Sequence, residues 1–214
     1  ETLFGSGANL RKPFEHEVLD EDWSITAGSQ RVFEKARAQL GSSGSGNHFV
    51  EFGALTIAER EPSGSAAGGK ERADDFNLPP GSYLAVLSHS GSRGVGFKIA
   101  KTYTELASRE HPLLDSSLRH LAWLSLCSEA GQEYWLSMQL AGRFASANHA
   151  VIHRRVATAM KLKEVTAVEN FHNFAWLEVL ADGARSVVHR KGATPASVGV
   201  LGIIPGSMGD AGYV

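Results

Sequence analysis

Four of the chain's nine histidines, His48, His89, His172 and His189, stand beside or close to glycine, asparagine or serine. Imidazole is the commonest transition-metal ligand, and metal sites collect ligands from distant chain positions. Taken singly, each histidine reads as structural; four in such settings favour a metal centre. The other five, His16, His111, His120, His149 and His153, lie in polar or helical contexts without a glycine partner and read as surface or satisfied core residues.

The neighbours say what else could bind. After Gly46, strand alternation would set Asn47, Phe49 and Glu51 on one face, with His48 and Val50 on the other. One side could then offer an imidazole to a metal. The other could offer an amide, a ring and a carboxylate, and a carboxylate accepts from the N1 and N2 donors of guanine. The ordinary alternative is an exposed Glu51 and a core Phe49. In Ser88-His89-Ser90-Gly91-Ser92-Arg93-Gly94, two glycines allow a tight turn, and the serines and Arg93 supply donors to an anion. A serine-capped strand-to-helix turn is the alternative; an arginine between two glycines tilts the reading toward phosphate. His172-Asn173 reads as a strand-to-helix junction, where asparagine is also a common N-cap. Val188-His189-Arg190-Lys191-Gly192 forms a local basic spot or a solvated turn. Ile204-Pro205-Gly206-Ser207-Met208-Gly209 reads as a strand end running into a loop of backbone donors, or a simple turn.

These residues need a frame. The chain has 214 residues, 43% hydrophobic and 21% charged, which suits one domain with a sizeable core. A net charge of −2 excludes a globally basic nucleic-acid magnet, so any RNA contact must be local. The single cysteine, Cys127, excludes a disulfide framework and favours a reducing compartment. No apolar run reaches membrane-spanning length, and neither terminus looks finished. Helical spacing over 21–40 places Val32, Ala36 and Leu40 on one face, with Asp20, Asp22 or Ser24 as the cap. Strands are expected at 47–57, 82–88, 164–169, 186–189 and 198–204, and a helix over about 173–180. A Gly/Ser loop at 61–75 reads as mobile. Residues 97–163 read as helical, with Tyr134, Met138, Ala141 and Ala145 on a stripe of core packing. The fold class is α+β: mixed sheets with a helical insertion around 97–163, in a single domain over 1–214.

Gly44-Ser45-Gly46-Asn47-His48-Phe49-Val50-Glu51, His89-Ser90-Gly91-Ser92-Arg93-Gly94, His172-Asn173, His189-Arg190-Lys191-Gly192-Ala193-Thr194 and Pro205-Gly206-Ser207-Met208-Gly209 together resemble RtcB-type RNA ligases. The motifs occur in that family's order from about residue 40 onward. The resemblance implies an RtcB-like fold and a GTP- and Mn²⁺-dependent ligase. Such a ligase joins 2′,3′-cyclic-phosphate or 3′-phosphate RNA ends to 5′-hydroxyl ends. It implies manganese ligands at His48, His89 and His172. It implies GTP contacts at Asn47, His48, Phe49, Val50, Glu51, His172, Asn173, Pro205, Gly206, Ser207 and Met208. Arg93 and Lys191 would meet RNA phosphate. A cytoplasmic location, RNA with broken ends as substrate, an accessory activator protein and no membrane partner also follow. The family's Asp-x-x-Cys-Gly ligand segment and the His-Gly-Ala-Gly motif of its guanylylated histidine have no match in these residues; Cys127 lies in a different context. No catalytic residue is therefore assigned here, and the 214 residues by themselves are expected to be inactive. The alternatives are a non-catalytic or diverged RNA- or nucleotide-binding homologue and a metal-dependent phosphoesterase.

Overall fold

The computed structural model describes residues 14–59, 76–204 and 212–213. The element order is a 3₁₀ turn Glu17–Leu19, α1 Ala27–Gln30, α2 Phe33–Gln39, β1 Phe49–Ile57, β2 Gly81–His89, α3 Arg93–Glu110, a 3₁₀ turn Ser116–Leu121, α4 Glu129–Met160, β3 Asn173–Val179, β4 Arg185–Lys191, β5 Ile203–Ile204 and β6 Gly212–Tyr213. The strands pair as β1–β2, β3–β4 and β5–β6, so the class is α+β with small two-stranded sheets. The Gly/Ser loop expected at 61–75 lies outside the described residues. Two compact units divide the chain, one of residues 1–53 and 85–163, the other of 54–84 and 164–214.

The first unit is built on helices. Val32, Ala36 and Leu40 are buried as their spacing predicts, and they pack with Trp23, Val95, Ile99, Leu140, Phe144 and Val151. The Trp23 ring meets Phe144 edge-on at 6.0 Å and donates from its indole to Val18 O at 2.8 Å, so its one polar group is satisfied in the core. The expected helix over 21–40 is two short helices instead. The cap is Thr26, in a reciprocal capping box with Ser29, and not Asp20, Asp22 or Ser24. Thr26 Oγ1 also bonds Ser137 Oγ at 2.6 Å, and this contact to α4 draws the helix start inward. The helical stretch at 97–163 becomes α3 and α4, separated at Pro112, with Leu140, Ala141, Phe144, Ala145, Ala147 and Val151 buried along α4. No helix among the described residues is long and apolar enough to cross a membrane.

The second unit corrects the sequence reading most. Residues 173–179 form a strand, not a helix, and Asn173 opens it without capping anything. Alternation explains this. Phe174, Trp176 and Glu178 share one face and meet Arg190 from β4, which stacks over Trp176 and bonds both oxygens of Glu178. Cross-strand contacts outweigh the modest helical spacing. Residues 164–169 form no strand, and the strand expected over 198–204 shrinks to 203–204. The Asn170 amide bonds Leu201 O and Ile203 N, taking backbone groups that a longer ladder would have used.

Candidate functional site

Two motif loops meet in the first unit. β1 begins at Phe49 and not at 47, because Gly46, at φ +77, carries the turn through Asn47. Strict alternation therefore does not reach His48. The rings of His48 and Phe49, adjacent in sequence, both pack edge-on against His89, at 5.9 and 5.5 Å. The two-faced strand expected from sequence holds only from Phe49 on. Asn47 and Glu51 are exposed and Val50 is half-buried.

Gly44 brings the next group in. Its φ is +114, a conformation that disfavours any side chain. A Cβ there would fall on the Arg93 guanidinium and lie 2.7 Å from His48 Nδ1. The missing side chain thus lets Arg93 and His48 bear on one point of the backbone. Arg93 Nε donates to Ser42 Oγ at 3.2 Å, and among the described residues no carboxylate pairs with it. Partial burial pulls its pKa below the ordinary value, yet an arginine stays charged in proteins. A half-buried cation without a counter-charge favours an incoming anion.

The turn before α3 is not the serine-capped one of the ordinary reading. Ser92 makes no side-chain cap; instead Gly94 N donates to Gln39 Oε1 at 3.0 Å, a cap delivered from α2. The positive φ of this turn falls on Arg93 itself, at +53, and not on Gly91 or Gly94. A non-glycine residue held there costs about 1 kcal/mol. The surrounding contacts must supply that.

Sequence reasoning missed those contacts. Asn148, on α4 and fully buried, accepts from Gly41 N at 2.7 Å. It donates to Ser42 O, Ser90 Oγ and Gly91 O at 3.1 to 3.2 Å. Ser90 Oγ donates to Ser43 O at 2.7 Å, and Arg155 Nη1 to Gly41 O at 3.2 Å. His153 Nε2 pairs with Ser88 Oγ at 2.8 Å, which bears out its reading as a satisfied histidine. A polar residue amid the apolar stripe of α4 was the available signal for Asn148.

In the second unit, His172, Asn173, His189 and Lys191 gather at one end of the β3–β4 hairpin. Gly192 N donates to His172 O at 2.6 Å, His189 Nε2 lies 3.3 Å from Asn173 Oδ1, and Asn173 pairs with Lys191 in the ladder. All four side chains are exposed. Pro205, Gly206, Ser207 and Met208 lie outside the described residues.

Two imidazoles are a donor set that suits a divalent transition metal. An imidazole bonded at about 2.1 Å puts its ring centroid roughly 3.2 Å from the ion, so two ligands of one ion have centroids at most about 6.4 Å apart. His48 and His89, at 5.9 Å, meet that limit. Among the described residues no three His, Cys, Asp or Glu side chains are gathered, so this is a pair and not a closed set.

A family model described as tRNA-splicing ligase RtcB matches residues 4–214. The protein named tRNA-splicing ligase RtcB from Thermococcus kodakarensis is 36% identical over 88% of this chain and 42% of its own length. Its namesake from Methanococcus maripaludis is 31% identical over the whole chain and 48% of its own length. That from Methanocaldococcus jannaschii is 32% identical over 94% of the chain and 22% of its length. The chain thus spans less than half the length of these curated relatives. With the family model covering nearly all of it, the chain belongs to the tRNA-splicing ligase RtcB family.

Proposed function

We propose that this chain supplies part of the metal and nucleotide centre of an RNA ligase that joins 2′,3′-cyclic-phosphate or 3′-phosphate ends to 5′-hydroxyl ends with GTP and Mn²⁺. The observation that carries this reading is the meeting of His48 and His89 with Arg93 drawn in at Gly44. Relatives named tRNA-splicing ligases support the reaction class.

His48 and His89 of the first unit would hold Mn²⁺; the resemblance assigns His172 as a manganese ligand as well. The bound ion supplies Lewis-acid neutralisation of phosphate charge. The remaining work falls to side chains of the chain. Glu51, exposed beyond Phe49, accepts from the guanine edge beside Asn47, Phe49 and Val50; the resemblance assigns further nucleotide contacts to Asn173 and to Pro205, Gly206, Ser207 and Met208. Arg93 and Lys191 bind RNA phosphate, and no carboxylate among the described residues competes for Arg93. The protein works on broken RNA in the cytoplasm, aided by an accessory activator protein.

The test is GTP and Mn²⁺ binding, measured by calorimetry. GTP binding should require Mn²⁺. His48→Ala and His89→Ala should each lower Mn²⁺ affinity by roughly 10- to 100-fold or more. GTP binding that ignores both the metal and these substitutions would overturn the proposal.

A further inference from the structure

We infer that Asn148 is a positioning residue whose buried amide sets the spacing between the loop leading to His48 and the loop carrying His89. For its functional consequence the inference rests on the metal reading above; its geometric part stands apart from it.

The side chain is fully buried on α4, yet none of its hydrogen-bonding capacity goes to its own helix. Oδ1 takes Gly41 N at 2.7 Å, and Nδ2 serves Ser42 O, Ser90 Oγ and Gly91 O at 3.1 to 3.2 Å. Three acceptors share two N–H groups, so the amide is saturated and its orientation fixed. Two of its partners precede His48 on one loop, and two follow His89 on the other. Ser90 Oγ closes the link by donating to Ser43 O at 2.7 Å. Gly41 fits only because it lacks a side chain: its φ is +80, and a Cβ would lie 2.6 Å from Val151 Cγ1, close to Asn148 on the same helix. An apolar residue at 148 would fill the space but remove the bonds to Gly41 N, Ser42 O and Gly91 O, and would leave Ser90 Oγ only its bond to Ser43 O. Core filling therefore does not explain an asparagine here, whereas fixing two loops against each other does.

A residue that merely stabilises α4 and a residue that positions the loops predict different results. Asn148→Asp keeps the shape and the Gly41 contact but sets a carboxylate against three acceptors. Ser90→Ala removes two links, the bond from Asn148 and the bond to Ser43 O, while leaving the buried amide in place. Leu140→Ala, in the buried apolar stripe of the same helix, is the stability control. Mn²⁺ affinity is measured by calorimetry below every variant's unfolding transition, and native-state hydrogen exchange is followed at amides 41–48, 88–94 and 131–140. Asn148→Asp and Ser90→Ala should weaken Mn²⁺ binding by roughly tenfold or more. Exchange should speed in both loops together, while amides 131–140 in Asn148→Asp stay no faster than in the control. Leu140→Ala should lower Tm while leaving Mn²⁺ affinity within about twofold of the unsubstituted protein. Loops whose exchange does not respond, or Mn²⁺ affinity no weaker in Asn148→Asp than in Leu140→Ala, would overturn the inference. Failure of the unsubstituted protein to bind Mn²⁺ would instead sink the metal reading, and loop exchange alone would then decide the positioning claim.

Discussion

His48 and His89 are held from behind by α4, whereas His172 and His189 sit at one end of a two-stranded hairpin. In the first unit a saturated buried amide, a cap lent by Gln39 and a glycine with no room for a side chain fix the loops. A close-packed helical core backs them. In the second unit the ladder and one ion pair carry the hairpin, and Ala175 is its one buried hydrophobic residue among those described. The same residue types thus occur in a pre-organised setting and in a pliable one. Pre-organisation suits groups that must keep a fixed separation, such as two ligands of one ion.

Substitutions should expose that asymmetry. The largest difference is in the core: Phe144→Ala should cost about 3–5 kcal/mol in urea denaturation, because the ring is fully buried beside Trp23. Val187→Ala on the exposed face of β4 should change stability by no more than about 0.5 kcal/mol. Equal losses would break the comparison.

The glycines give a sharper contrast at smaller scale. Gly44→Ala combines a strained φ of +114 with a collision on Arg93 and His48, and should cost about 2–3 kcal/mol and lower Mn²⁺ affinity. Gly192→Ala, at φ +68 with open space around the new methyl, should cost only about 1–2 kcal/mol of backbone strain and lower Mn²⁺ affinity less than Gly44→Ala does. If Gly192→Ala disturbs Mn²⁺ binding as much as Gly44→Ala, the first unit is not the pre-organised one.

The smallest effect concerns pH. The Arg190 hydrogen bonds hold the Glu178 carboxyl below its ordinary pKa, against a lesser opposing desolvation. A carboxyl depressed in the folded state adds stability above its unfolded pKa, and that contribution disappears as pH falls through the folded value. Protection factors across 174–178, taken relative to the intrinsic exchange rate at each pH, should therefore fall on acidification below the ordinary carboxylate range, and Glu178→Gln should flatten that response. An unchanged profile in Glu178→Gln would remove the ion pair from the account.

Much of the first unit was legible in the sequence. Val32, Ala36 and Leu40 declared their buried face, and the apolar run at 82–88 is β2 with one residue added at each end. The glycine clusters marked the loops that meet. What escaped was non-local. Thr26 caps α1 while bonding Ser137, 111 residues away, and Asn148 reaches residues 106 and 107 positions distant. No local pattern encodes such partners. The strand at 173–179 was misread as helix because its decisive contacts, Arg190 on Trp176 and Glu178, come from the other strand of the hairpin. The alternation expected through His48 failed where Gly46 turned the chain before the strand began.

The most direct test of the central claim is anomalous scattering at the manganese edge from crystals of the protein grown with Mn²⁺ and GTP. The account predicts a peak within bonding distance of ring nitrogens of both His48 and His89, with guanine against Glu51. A peak elsewhere, or none while GTP is bound, would contradict it.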